Sequence, residues 1–237
     1  MNTLLKSAKI IDPNSSFHGN TLDILILNGT IDKIDKSLDA PKASVIQHRN
    51  LCISPGWFDS SVSFGEPGYE ERETLKHGLS VAAASGFTQI AYNTNTNPLP
   101  TSKADISFLL SSATQTPTTL HPKGHITTQD NAQKLAELHD LSQAGAICFS
   151  NHKEPIDDPH LLLVALQYTR GFDGLIESFP IEPQLAVNGV MHEGKVSTSL
   201  GLRGIPNLAE EIQIRRDLAI LSYTGGKLHI PTISTAE

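Results

Sequence analysis

From about residue 50 onward the chain alternates short apolar runs with stretches of helical length, and nothing else constrains its fold as strongly. The runs at 50–58, 87–92, 118–126, 145–149, 173–178 and 227–233 read as strands. The stretches at 71–85, 102–113, 129–143, 157–170 and 207–224 read as helices. Apolar strands separated by helices predict a parallel sheet covered by helices, an α/β fold. Helix punctuation agrees. Asn207 after Pro206 reads as an N-cap, with Glu210 three residues on and Gly225-Gly226 as the stop. Thr128 is expected to cap a helix beginning near Gln129, with Gly145 close to its end.

The first fifty residues follow a different pattern. LLKSAKII, DILILNGTIDKI and SVIQ are short strand-like runs broken by turns, with Asn28-Gly29 as a hairpin turn. They predict a small β unit. The six strands and five helices that follow occupy residues 54–237. An eight-fold (β/α) barrel takes about 250 residues. That leaves two readings, a smaller open sheet or part of a longer barrel.

Composition narrows the function. With 38% hydrophobic residues and a formal charge of −7, the 237-residue chain has a core and no basic stripe for nucleic acid. Cys52 in LCIS and Cys148 in AICFS are expected to be two buried free thiols. No signal-like segment precedes Lys6, and no apolar run approaches the roughly 18 residues of a membrane span. A cytoplasmic protein without membrane contact is the expectation.

Familiar catalytic templates are missing. The ten histidines form no HxH or HExxH, and no CxxC or GxSxG occurs. His121 and His125 in HPKGH share a face on a regular strand and read as a structural pair. His152 is expected in solvent. Glu66, Glu70, Glu71 and Glu73 straddle the first helix start, where negative charge suits the N-terminal dipole.

Several longer segments carry a resemblance. SPGWFDSSVSFGEPGYEERETLKHG, AAASGFT, Asn95-Thr96-Asn97-Pro98, GAICFS, GVMHEGKVSTSLGLRGIPNLAEEIQIRRDLA and TGGKLHIPTISTAE are similar to the dihydroorotases of the amidohydrolase superfamily. The type resembled is the one that assembles with aspartate carbamoyltransferase. The resemblance runs essentially end to end. It implies a TIM-type (β/α) barrel, incomplete here at about six strands, with the last strands absent from this chain. It also implies that residues 1–53 are the N-terminal portion of a small β-sandwich and residues 54–237 the partial barrel.

The same resemblance fixes where the family's zinc site falls. Its first strand ends in His-x-His-Phe-Arg-Glu-Pro-Gly, two zinc ligands and an arginine for the substrate carboxylate. Those positions are Ser61, Ser63 and Gly65 in this chain. The fourth-, fifth- and sixth-strand ligand positions fall on Asn151, Glu177 and Thr232. Asn95 matches a substrate-contacting asparagine. His229, three before Thr232, is expected by alternation to face the helix layer.

Zinc takes imidazole, thiolate or carboxylate ligands, and hydroxyls and a neutral amide replace them poorly. Without the metal, water is not brought from a pKa of about 15.7 to about 7. Without the arginine, the charge-assisted clamp on an anionic substrate is gone. Meanwhile Pro67-Gly68, Gly86, Gly204 and Pro206, which serve turns and packing, remain. The expectation is a non-catalytic relative with no cofactor. Its partner would be aspartate carbamoyltransferase, or the chain would self-associate. The alternative is a zinc-dependent dihydroorotase that opens dihydroorotate to carbamoyl aspartate.

Overall fold

In the computed structural model, which describes residues 2–237, the chain divides into two units, one reaching Gly56 and one starting at Trp57. The first unit is one sheet of β1 (Asn2–Ile10), β2 (Thr21–Leu27), β3 (Thr30–Asp35), β4 (Ser44–Ile46) and β5 (Cys52–Ile53). Its order is β3-β2-β1-β4, with β5 also pairing with β1. β2 and β3 form the expected hairpin, with Asn28 and Gly29 at φ 52° and 83°. Two consecutive positive φ values suit the right-handed strand twist.

A bulge between Leu5 and Ala8 turns one stretch of β1 toward β2. There the Lys6 ammonium and the Ser7 N–H reach the Asp23 carboxylate at 2.8 and 2.9 Å. The Leu38 N–H adds a bond of 2.9 Å. Burial works against ionising Asp23, but these donors hold its pKa below the ordinary value. Cys52 is exposed rather than buried. In the two-residue strand β5, Ile53 takes the core-facing position beside Ala8, Ile10 and Ile24, so Cys52 turns outward.

In chain order the second unit contains β6 (Trp57–Val62), α1 (Leu75–Ala84), β7 (Phe87–Tyr92), α2 (Lys103–Ser112), β8 (Thr119–Pro122), α3 (Leu138–Ala144) and β9 (Phe149–Ser150). It continues with α4 (Pro159–Thr169), β10 (Leu175–Glu177), α5 (Pro183–Ala186), β11 (Met191–His192), α6 (Lys195–Leu200) and β12 (Gly204–Ile205). α7 (Asn207–Thr224) and β13 (Lys227–His229) complete it. β6-β7-β8 and β9-β10-β13 are parallel sheets, and a parallel bridge between Gly124 and Phe149 links β8 to β9. Six parallel strands therefore lie side by side in chain order; β7 matches its expected bounds, whereas the run 50–58 is split between β5 of the first unit and β6, which begins only at Trp57. This is the order in which a (β/α) barrel begins.

Helices cover one face. Ile90, Tyr92 and Leu120 pack against Leu75 and Leu79 of α1 and Leu109 of α2. Phe149 and Ile176 pack against Leu162, Ala165 and Leu166 of α4, with Leu221 of α7 and Leu228 on the margin. Each fully buried side chain of this size contributes roughly 1.5–3 kcal/mol. The parallel ribbon β11–β12 lies outside this order, in the GVMHEG…GIP segment.

Three local expectations are corrected. Residues 129–137 are not helical, and α3 starts at Leu138. Thr128 accepts no helix: its hydroxyl bonds the Asn131 carbonyl, Asn131 Oδ1 takes the Gln133 N–H, and Thr127 bridges to Leu135. Such side-chain bonds compete with helix formation. α1 begins at Leu75 with Thr74 as N-cap. Of the four glutamates before it, two reach the first turn: Glu66 accepts the Leu75 N–H at 2.7 Å, and Glu73 Oε1 lies 2.7 Å from His77 Nδ1. Finally, Pro206 takes the N-cap position of α7, and Glu210 turns away to bond Ser234 and Thr235.

Candidate functional site

Of the expected positions, Ser61, Ser63 and Asn95 are joined through bonds to one another and to Asn93, while Asn151 and Glu177 bond other partners at the ends of neighbouring strands. Asn93, just past β7 and buried, donates through Nδ2 to the hydroxyls of Ser61 and Ser63 at 3.2 and 3.1 Å. The Ser63 hydroxyl in turn donates to Asn95 Oδ1 at 2.8 Å. Asn151 Oδ1 accepts the Ile126 N–H at 3.2 Å. Each of these side chains thereby bonds protein, while the buried Asn93 Oδ1 has no hydrogen-bond partner among the described residues. Thr232 is exposed in the segment after β13 and lines a cleft of about 180 Å³ with Phe179, His192 and Glu210.

At Gly65 the backbone itself differs from what an arginine needs. Gly65 adopts φ +142°, and a Cβ there would lie 2.4 Å from the Tyr69 carbonyl oxygen. Tyr92 locks this turn: its hydroxyl accepts the Gly65 N–H at 3.2 Å and donates to the Glu66 carbonyl at 2.6 Å. Burial raises the Tyr92 pKa, so the phenol stays a donor.

Glu177 is the one expected ligand position that carries a charge, and that charge is already matched. The Lys123 ammonium lies 2.8 Å from Glu177 Oε2, with the side chains 1% and 6% exposed. The Ser150 hydroxyl donates to Glu177 Oε1 at 2.8 Å, and the His152 N–H donates to Ser150 Oγ at 2.9 Å. Cys148 sits near both charges, and burial pushes its thiol up to about 12. Lys123 went unnoticed in the sequence. The available signal was alternation: it lies two residues beyond His121, on the same inward register as the ends of the neighbouring strands.

His229 does not face the helices. It pairs in register with Glu177, while Leu228 packs against the helix-side core. The expectation was counted back from Thr232 across Pro231, but the regular strand ends at His229, where alternation stops. His121 and His125 are satisfied separately, not as a pair on one strand face. His121 Nε2 meets Gln89 Oε1 at 2.9 Å, and His125, beyond the end of β8, bonds the Thr127 carbonyl at 2.9 Å. His152 is partly buried at φ 56°, not free in solvent.

Zinc needs several imidazole, thiolate or carboxylate donors converging on one point. Among the described residues no group of three or more His, Cys, Asp or Glu side chains has that arrangement. Two serines, an amide, an exposed threonine and an ion-paired glutamate do not fit the metal. No hydroxide-generating step can be routed through them.

A strand–helix alternation in this order, with polar residues at the strand ends, defines a (β/α)-barrel-type fold. A family model described as dihydro-orotase-like matches residues 51–237, and the chain belongs to that family. It is 37% identical over 237 residues to a protein named dihydroorotase from Geobacter sulfurreducens, a match covering 99% of this chain and 56% of that one. A dihydroorotase from Pelotomaculum thermopropionicum is 36% identical over 236 residues, covering 100% of this chain and 55% of the relative. The chain thus spans little more than half the length of these curated relatives. Among solved structures, the L-hydantoinase from Arthrobacter aurescens superposes with TM-score 0.71 at 17% identity, over 95% of this chain and 51% of that one. At that identity the likeness speaks for the fold alone.

Proposed function

We propose that this chain is a non-catalytic dihydroorotase-like protein that acts in pyrimidine biosynthesis as a structural partner of aspartate carbamoyltransferase, in the cytoplasm. The observation that carries the non-catalytic part is the buried pair of Lys123 with Glu177, at a strand end where the other ligand positions are serines tied to Asn93. The partner follows from the resemblance and from what the sequence keeps. Turn and packing positions persist where ligand positions do not. A surface used for assembly needs the fold without the chemistry.

Co-purification of the intact protein with aspartate carbamoyltransferase tests the partner. A stable complex is expected. A chain that stays monomeric beside that enzyme at micromolar concentration contradicts it.

A second reading, a zinc-dependent dihydroorotase, draws on the names of relatives 35–37% identical along the chain. Ring opening of dihydroorotate that is lost with a chelator would favour it over the first.

A further inference from the structure

The cost of Glu177 is the key to this centre. A carboxylate 5% exposed, taken from water without a counter-charge, is strongly disfavoured. In a metal site the ion supplies that counter-charge. We propose that Lys123 is a built-in cation: its ammonium takes over the charge-balancing task at Glu177, ties the end of β8 to the end of β10, and closes the position to divalent ions.

Three observations support it. First, the pair is buried and doubly anchored, with Lys123 on one carboxylate oxygen and Ser150 on the other. Both oxygens are therefore occupied. Second, the flanking backbone is held in place: the Lys123 N–H bonds the Tyr92 carbonyl at 3.0 Å, and the Gly124 N–H bonds the Cys148 carbonyl at 2.9 Å. The backbone from which the lysine projects is thereby fixed by strand pairing, and its side chain is almost fully buried. Third, no third metal-binding side chain converges with Glu177 among the described residues. An incoming divalent ion would meet a fixed positive charge within a few ångströms, which is repulsive at low dielectric. The inference deepens the non-catalytic reading, but its test does not depend on the partner enzyme.

A double-mutant cycle in the intact protein decides it. Lys123→Met and Glu177→Leu each leave one buried charge uncompensated, and each is expected to lower the folding equilibrium about 100-fold or more. Lys123→Met with Glu177→Leu is expected to return to within about tenfold of the parent, since both charges are gone. Propylammonium is expected to raise the melting temperature of Lys123→Ala, whereas propanol is not. Zinc is expected to leave the parent's melting temperature unchanged. Should both single variants be insoluble, a folded double variant still bears out the proposal and an insoluble one overturns it. Strictly additive losses overturn it, as does zinc stabilisation of the parent that disappears in Glu177→Leu. Failure of the cycle would leave aspartate carbamoyltransferase binding unaffected, so the two ideas fail separately.

Discussion

Glu210, on the first turn of α7, accepts the Ser234 N–H with both carboxylate oxygens at 3.0 Å and the Thr235 N–H with one of them at 3.0 Å. One side chain thus fastens the segment after β13 to the helix that precedes it. Burial opposes ionisation of Glu210, yet the bonds from Ser234 and Thr235 hold its pKa below the ordinary 4.5. A depressed carboxylate pKa stabilises the fold above the unfolded value, and that contribution is lost as pH falls through the folded value. Glu210→Ala is expected to cost about 2 kcal/mol and to speed amide exchange at Ser234 and Thr235. Hydrogen exchange read residue by residue checks it; unchanged protection at both amides would contradict the fastening.

The two cysteines are expected to differ sharply in reactivity. Thiolate, not thiol, attacks disulfide reagents. Cys148 is buried with its thiol raised to about 12, whereas Cys52 is exposed. Titration with a chromogenic disulfide should label Cys52 alone in the native protein and both thiols in denaturant. Rapid native labelling of Cys148 would contradict the packing described.

His125 ties stability to mild acid. Burial pushes its pKa below the ordinary 6.5, against the bond to Thr127 and the field of Glu154. The folded state therefore binds fewer protons than the unfolded one. Its contribution is complete above about pH 6.5 and is lost as pH falls toward the folded pKa. Burial shifts His152 in the same direction. The urea midpoint is expected to fall between pH 7 and 5.5, and less steeply in His125→Gln. An unchanged slope in that variant would contradict the assignment.

Restoring the family's arginine is expected to fail. Gly65→Arg places a side chain at φ +142° and against the Tyr69 carbonyl. Strain alone costs about 1–3 kcal/mol, before the displaced carbonyl is counted. Thermal melting should show a clear loss, with no gain in affinity for dihydroorotate. A stable variant that binds the substrate more tightly would contradict the backbone argument.

Much of this architecture is legible in the residues. The alternation of apolar runs and helical stretches marks five of the six parallel strands, while the run at 50–58 catches only the start of the remaining one; Asn28-Gly29 marks its hairpin. What the pattern misses is decided by single side chains. Asn131 and Thr128 bond their own neighbourhood, so a stretch with helical composition becomes a loop. Glu210 looks like a capping residue but bonds a segment 24 residues away. At the site, matching ligand positions identifies the losses at Ser61 and Ser63, while Lys123 lies outside any ligand position. Its partner is 54 residues distant, a pairing that only the folded sheet reveals.

All of this rests on a centre whose one carboxylate is held by Lys123 and Ser150 and whose serines are tied to asparagines rather than to an ion. Incubating the intact protein with zinc, removing the excess, and measuring bound metal by mass spectrometry tests that directly. Far less than one zinc per chain is expected, with no ring opening of dihydroorotate. About one or two zinc ions per chain, with activity abolished by a chelator, would contradict it.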